Sequence, residues 1–142
     1  MEVNGKKAGM LLSYDWKIKK QENVRTGLLL FKFLRFNMPR KIWMLIKFNQ
    51  KIGNLPKDTY YISNLAVHPE FRGKGLSKKL MNFAENKARN KKVRILILDV
   101  EQENITAVNL YKKLGYNILE KLTINSFKDE QLNFFRMVKK VK

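Results

Sequence analysis

A strand, a glycine-rich turn and a helix follow one another between residues 60 and 90 of this 142-residue chain. Residues 60–67 are mostly apolar, which predicts a strand buried on both faces. The turn contains Gly73 and Gly75, whose missing Cβ atoms let backbone N–H groups converge on an anion. The following helix adds its unpaired N–H groups and the positive end of its dipole. The pattern predicts a binding site for a pyrophosphate-like group.

The helix after this turn is predicted from apolar residues at helical spacing and is expected to end near Asn90. Those apolar residues are Leu76, Leu80, Phe83, Ala84 and Ala88. Positive charge at the turn comes from Arg72, Lys74, Lys78 and Lys79. The glycine spacing is neither that of a P-loop nor the three-glycine spacing of a dinucleotide fold. Because glycine turns are also common as plain structural turns, the turn alone leaves both interpretations open.

The rest of the chain alternates between strands and helices. The sequence predicts strands at residues 7–14, 93–100, 116–124 and 132–138. A second helix is predicted from its cap Asn104 to Gly115, with Ala107, Val108, Tyr111 and Leu114 on its apolar face. We expect a turn at Asn4 and Gly5, and an antiparallel pair of final strands across a turn near Lys128 and Asp129. This order predicts a single domain of the mixed α/β or α+β class.

Charge and composition limit the function classes. The chain has 30 lysines and arginines against 12 acidic residues, a net charge of +18. This balance favours an anionic partner such as a polyphosphate cofactor, nucleic acid, an acidic protein or a membrane surface, although a lysine-rich genome would produce the same balance. Cysteine is absent and His68 is the single histidine. Disulfides, thiolate metal sites and sites built on two histidines are therefore excluded, and no metal is expected.

The hydropathy pattern bears on location. No run of about 18 apolar residues occurs, so no transmembrane helix is expected. The N-terminus lacks the apolar region of a signal peptide. Together with the absence of cysteine, this predicts a cytoplasmic protein.

Two sequence blocks point to one family. Residues 64–77, N-L-A-V-H-P-E-F-R-G-K-G-L-S, closely resemble the acetyl-CoA-binding signature R-x-x-G-x-G/A of the GCN5-related N-acetyltransferases, the GNAT superfamily. Arg72 and Gly75 match, and Ser77 stands where the signature has Gly or Ala. Residues 98–116 resemble the family's "LxV…N…A…LYxxLGF" segment. The blocks occur in the family's order and separation, and the resemblance covers residues 8–122.

The resemblance implies a mixed α+β fold with a V-splayed central sheet flanked by helices. The pantetheine arm of acetyl-CoA would lie between two parallel strands, residues 60–67 and 93–100. The backbone of Leu65, Ala66 and Val67 would contact the pantetheine, and the Asn104 amide would contact its side. The diphosphate would be held by Arg72, Gly73, Lys74, Gly75, Leu76, Ser77 and Lys78.

The implied activity is acetyl transfer from the CoA thioester to a primary amine by direct attack. An ammonium near pKa 10.4 must lose its proton, and the leaving thiolate must gain one. A backbone N–H at Val67 or its neighbour is the expected oxyanion donor. Tyr111 matches the family's general-acid position, with a core tyrosine as the alternative. Asp99, placed similarly to the glutamate base of ribosomal-protein alanine acetyltransferases, is the predicted base.

Alternatives to the Asp99 assignment stay open. Asp99 is equally well interpreted as a structural carboxylate or a member of a water relay. Glu101 lies on the same strand face and is the second candidate. Asn64 cannot serve as a base because its side chain is an amide. His68 is interpreted as a turn residue.

Two departures from the family pattern concern the acceptor. The strand and two helices that usually precede the first strand are missing, so residues 1–142 are interpreted as one truncated domain. Residues 27–52 are predicted to form a helical insert, and they contain six basic residues and no acidic one. Pro39 is predicted to divide the insert into two helices, and Gly53 to end the second. We expect the insert to cover the acceptor region or to form a homodimer interface, with a membrane-surface helix as the rival.

Three function classes follow from the sequence. The first is an acetyl-CoA-dependent N-acetyltransferase whose acceptor is a small-molecule or peptide amine. The second is a catalytically silent acyl-CoA-binding regulatory protein. The third, a nucleic-acid-binding module, is disfavoured because no interleaved exposed aromatics or known reader motif occur.

Overall fold

The computed structural model describes residues 1–18, 55–125 and 131–141. The predicted insert at 27–52 and the turn near Lys128 and Asp129 lie outside these residues. The described strands are β1 (Glu2–Val3), β2 (Lys6–Lys7), β3 (Gly9–Asp15), β4 (Thr59–Val67), β5 (Ile95–Glu101), β6 (Asn117–Asn125) and β7 (Gln131–Lys140). A 3₁₀ turn (Pro69–Phe71) precedes helix α1 (Leu76–Asn90), and helix α2 (Ile105–Lys113) follows β5. Each predicted strand and helix within the described residues is present, with ends shifted by one or two residues.

Five strands form one mixed sheet in the order β3-β4-β5-β7-β6. Strands β4 and β5 are parallel, and the other neighbours are antiparallel. A parallel neighbour needs a crossover, which α1 supplies between β4 and β5. The predicted mixed α+β class and the predicted parallel pair are both confirmed.

The sheet splits between β4 and β5. Their parallel pairing runs only from Thr59 opposite Ile95 to Ile62 opposite Leu98. Beyond that point β4 stays paired with β3 and β5 stays paired with β7. A β-bulge lies at the split, because β3 pairs with Ile62 and Asn64 and skips Ser63. Bulges bend and twist a strand, so this one helps β4 diverge from β5 and gives the V-shaped opening.

The split also corrects one expectation about β4. The strand was predicted to be buried on both faces throughout, but only Thr59, Tyr60, Tyr61 and Ile62 are buried. The residues that follow alternate between half-buried and exposed. They have no strand neighbour on the β5 side, so their backbone polar groups are available to a ligand.

The core lies between the sheet and α1. Met81, Ala84 and Ala88 of α1 have no exposed surface and pack in one cluster with Leu96 and Met137 of the sheet. Phe83 was predicted to share the buried face, but it is 57% exposed and its ring lies beside Lys87. The buried stripe passes through Met81 and Glu85 instead, which leaves Phe83 on the flank of the helix.

Helix α1 approaches the sheet closely at Gly9. A Cβ at this position would lie 3.0 Å from the carbonyl oxygen of Ala66 and 3.2 Å from Cδ1 of Leu80. Glycine at this position therefore lets β3, β4 and α1 meet.

In the part of the chain that the structure describes, no helix is long and apolar enough to cross a membrane.

Candidate active site

A cavity of about 550 Å³ opens where β4 leaves β5. Its walls are the end of β4, the glycine turn with the start of α1, and one face of α2. Every residue predicted to contact the cofactor lines it except Lys74, whose Nζ lies 5.3 Å from the centre of the Phe71 ring. Tyr111 lines it as well, whereas Asp99 does not. Sequence reasoning missed Phe71, Thr106 and Leu110 as lining residues. Phe71 and Leu110 lie inside the two family-like blocks, but no contact with the cofactor is predicted for them, and Thr106 carries no motif.

The glycine turn has the conformation that an anion cradle needs. Gly73 and Gly75 have φ values of 74° and 73°, in the left-handed region that residues with a Cβ rarely adopt. A Cβ at either position would meet no atom within 4 Å, so backbone conformation rather than crowding requires glycine. Helix α1 begins directly after Gly75, and the Lys79 N–H donates to the Gly75 carbonyl at 3.1 Å. The N–H groups before Lys79 have no acceptor within the helix and can bind an anion.

The other walls are also held by hydrogen bonds. Nε of Arg72 donates to the Val67 carbonyl at 3.3 Å, which ties the basic turn to the end of β4. The Asn104 side chain caps α2, because its Oδ1 accepts a hydrogen bond from the Ala107 N–H at 3.1 Å. The Asn104 Nδ2 can still donate to a ligand while Oδ1 caps the helix.

Tyr111 is the titratable side chain that faces the cavity from α2. The residue is 8% exposed and packs in the main core cluster. Burial raises the pKa of Tyr111 above its ordinary value near 10. The phenol therefore keeps its proton at neutral pH, which is the state that a proton donor requires.

Asp99 belongs to a buried network on the sheet. Nε and Nη2 of Arg136 donate to its two oxygens at 2.9 and 3.0 Å, and the Tyr61 hydroxyl donates to Oδ2 at 3.0 Å. Burial, together with this carboxylate, raises the pKa of Tyr61, so its hydroxyl remains a donor. Arg136 reaches on to Glu120 at 3.2 Å. The network links β4, β5, β7 and β6 next to the point where the sheet splits.

Comparison with protein families identifies the family of this chain. A family model described as "Acetyltransferase (GNAT) family" matches residues 4–116. The chain belongs to this family.

Relatives support the same assignment. The chain is similar to "N-alpha-acetyltransferase 30" of Saccharomyces cerevisiae, with 39% identity over 56 residues that cover 39% of this chain and 32% of that protein. It is also similar to "GCN5-related N-acetyltransferase 4, chloroplastic" of Arabidopsis thaliana, with 29% identity over 108 residues, 76% of this chain and 34% of that protein. The chain therefore spans about a third of the length of these curated relatives.

A solved N-acetyltransferase structure supports the fold. The "N-acetyltransferase from Staphylococcus aureus Mu50" superposes with a TM-score of 0.67 at 21% identity. The match covers 98% of this chain and 67% of that one. At this identity the likeness concerns the fold alone.

Within this GNAT chain, the geometry of Asp99 favours the structural alternative over the general base. Three donors already occupy its two oxygens, and its side chain is only 5% exposed. A base must reach the proton that it removes, and Asp99 lies outside the cavity lining. Glu101 is exposed at the end of β5, and His68 is exposed with its ring centre 6.0 Å from that of Phe71.

The Asp99 network leads to a prediction about stability. Asp99→Asn removes the buried carboxylate of the ion pair and leaves Arg136 with Glu120, a more exposed carboxylate at 3.2 Å. We expect the free energy of unfolding to fall by about 3 kcal/mol, measured by urea denaturation. Glu101→Gln is the matched control, because the same exchange at an exposed position should change stability by less than about 0.5 kcal/mol. Unchanged stability of Asp99→Asn together with lost turnover would instead support the base assignment.

Proposed function

We propose that this chain is an acetyl-CoA-dependent N-acetyltransferase that moves the acetyl group to a primary amine by direct attack. The observation that carries the proposal is the cavity itself. It brings the glycine turn, the unpaired edge of β4 and the Tyr111 side chain onto one surface. Family membership supports acetyl transfer as the reaction class.

The described residues fit the cofactor by its chemistry. The diphosphate would lie on the N–H groups at the start of α1, where the helix dipole and the Arg72 and Lys78 side chains add positive charge. The pantetheine amides would pair with the unpaired edge of β4 at Leu65, Ala66 and Val67. When bound, acetyl-CoA supplies an activated acetyl group as a thioester.

Two proton movements accompany the transfer. Tyr111 Oη holds a proton near the cavity and would give it to the departing thiolate sulfur. The amine nitrogen must lose a proton to become a nucleophile. Because three donors already occupy the Asp99 oxygens, we assign this second step to water, or to Glu101 acting through water, since Glu101 also lies outside the cavity lining.

The acceptor is proposed as a primary amine on a small molecule or a peptide. The likeness to a protein named N-alpha-acetyltransferase 30 supports including peptide N-termini among the candidates. A homodimer and a cytoplasmic location remain predictions from the sequence, and light scattering of the purified chain tests the first.

The test is a two-part assay on the purified chain. Calorimetry with CoA measures binding, and thiol release from acetyl-CoA is followed with a panel of a free-N-terminus peptide, an internal-lysine peptide, a polyamine and a small alkylamine. We expect CoA binding and thiol release that depends on one class of amine. CoA binding without amine-dependent thiol release would overturn the enzymatic proposal in favour of a silent acyl-CoA-binding protein. Absence of CoA binding would overturn both.

A further inference from the structure

The ion pair of Asp99 and Arg136 lies at the apex of the V-shaped opening, where β4 leaves β5. The last paired positions of these two strands are Ile62 and Leu98, so Asp99 is the first residue of β5 with no β4 residue opposite it. Arg136 of β7 lies opposite Asp99 and donates two hydrogen bonds to its carboxylate, at 2.9 and 3.0 Å. The ion pair therefore holds β5 to β7 at this apex.

Tyr61 connects the same carboxylate to the other side of the opening. Side chains alternate along β4, and Tyr60 and Ile62 belong to the core cluster under α1, so the Tyr61 ring lies on the opposite face of the sheet. Its backbone lies opposite Ile97, two residues before Asp99. The Tyr61 hydroxyl reaches forward and donates to Oδ2 of Asp99 at 3.0 Å. This hydrogen bond crosses from β4 to β5 where the backbone ladder between them stops.

Stability alone gives a weak reason for such a network. A buried charged network often contributes no more to stability than apolar packing of the same volume. Its groups are satisfied in one arrangement only, however, so it selects that arrangement over similar ones. The similar arrangements here are a ladder that runs one pair further, with Ser63 opposite Asp99, and a ladder that stops earlier. The first would cover part of the β4 edge, and the second would widen the opening.

We propose that Tyr61 and Asp99 are positioning residues whose hydrogen bond fixes where β4 leaves β5, and thereby fixes the β4 edge at residues 65–67 that receives the pantetheine arm. The inference rests on the proposed function. Neither side chain lines the cavity, so both act through the backbone of β4 rather than by contact with the cofactor.

A fixed β4 edge should matter to one half of the cofactor only. The nucleotide half of CoA would lie on the glycine turn and the start of α1, which contain none of the network residues. The pantetheine arm would lie along β4. Without the Tyr61 hydroxyl, the edge would have to become ordered when the arm binds, which lowers the affinity for a ligand that carries the arm.

The test compares CoA with its nucleotide half, adenosine 3′-phosphate 5′-diphosphate, by calorimetry on the full chain. Tyr61→Phe keeps the ring and its packing against Tyr14, at 5.9 Å between ring centres, and removes the hydroxyl that donates to Asp99. We expect the Kd for CoA to rise about tenfold. The Kd for the nucleotide half should stay within twofold.

Arg136→Lys tests the same network from its other side. A lysine keeps the positive charge but loses the two-donor contact that orients the Asp99 carboxylate towards Tyr61. It should therefore also weaken CoA binding and spare the nucleotide half. If one of the two variants does not fold, the other decides.

Tyr60→Phe is the matched control. Tyr60 and Tyr61 are neighbours on β4 and are 4% and 5% exposed, but the Tyr60 hydroxyl accepts a hydrogen bond from Ser13 of β3 at 3.2 Å and does not cross the opening. Tyr60→Phe should lower Tm, as Tyr61→Phe does, and leave both Kd values within twofold.

Three results would overturn the inference alone. The first is an unchanged Kd for CoA in Tyr61→Phe. The second is an equal loss of affinity for CoA and for the nucleotide half, which a general loss of structure produces. The third is a selective loss of CoA affinity in Tyr60→Phe as well. A wild type that neither binds CoA nor releases thiol with an amine would overturn the proposed function, and this inference with it.

Discussion

Tyr111→Phe is expected to lower the rate of acetyl transfer by about 10²- to 10⁴-fold, the usual loss when a general acid is removed. The substitution keeps the ring, its packing in the core and its contact with Tyr116, and it removes only the hydroxyl of a residue that lines the cavity. CoA affinity should therefore stay within twofold by calorimetry. The measurement is kcat by thiol release, under conditions where pre-steady-state kinetics establish that chemistry limits the rate.

The pH profile provides a second check on Tyr111. The protonated phenol is the active form, so activity is retained below its pKa and lost as the pH rises through it. Because burial raises the pKa of Tyr111, this loss should lie above about pH 10 in the wild type. The Phe variant should lack that alkaline loss. If Tyr111→Phe keeps full turnover while chemistry limits the rate, Tyr111 is a core residue and not the general acid.

Most of the residues that line the cavity could be predicted from local sequence signals. The glycines of the turn, the cap at Asn104 and the apolar spacing of α2 each act within a few residues of their own position. The residues that they orient therefore line the cavity as predicted. The end of α2 is equally local. The Gly115 N–H donates to the Lys112 carbonyl and the Tyr116 N–H to the Tyr111 carbonyl, each at 3.0 Å. This Schellman motif, with the sequence Y-x-x-L-G-Y, brings the rings of Tyr111 and Tyr116 to 6.0 Å. Only the helix end, and not the contact, was predicted from it.

The features that could not be predicted from the sequence depend on contacts between residues far apart in the chain. Asp99 acquires its role from Arg136, and the two residues face each other across β5 and β7 only once the register of those strands is set. The divergence of β4 from β5 is likewise helped by a bulge at Ser63. No residue pattern near Ser63 predicts that bulge. Phe83 fits the helical spacing but lies beside the buried stripe, since the direction of the stripe is set by the sheet beneath it.

Gly75→Glu is expected to abolish CoA binding, with no heat detected by calorimetry at concentrations that saturate the wild type. The Cβ of a residue at Gly75 would meet no protein atom within 4 Å, so a glutamate side chain has room to extend from the turn. Its carboxylate would stand in the anion cradle that we assign to the diphosphate. Two like charges about 4 Å apart repel by roughly 4 kcal/mol at an effective dielectric constant near 20, about a thousandfold in affinity.

Backbone strain must be separated from charge in this experiment, because Gly75 has a φ of 73° and any side chain there is strained. Gly5→Glu is a matched control, since Gly5 has a φ of 74°, has the same open space around it and lies outside the cavity lining. It should suffer the same strain and gain the same charge yet bind CoA as the wild type does. Gly75→Gln keeps the bulk and the strain without the charge, so its affinity should lie between those of the wild type and Gly75→Glu. If Gly75→Glu still binds CoA, the diphosphate does not bind at this turn and must bind at another site.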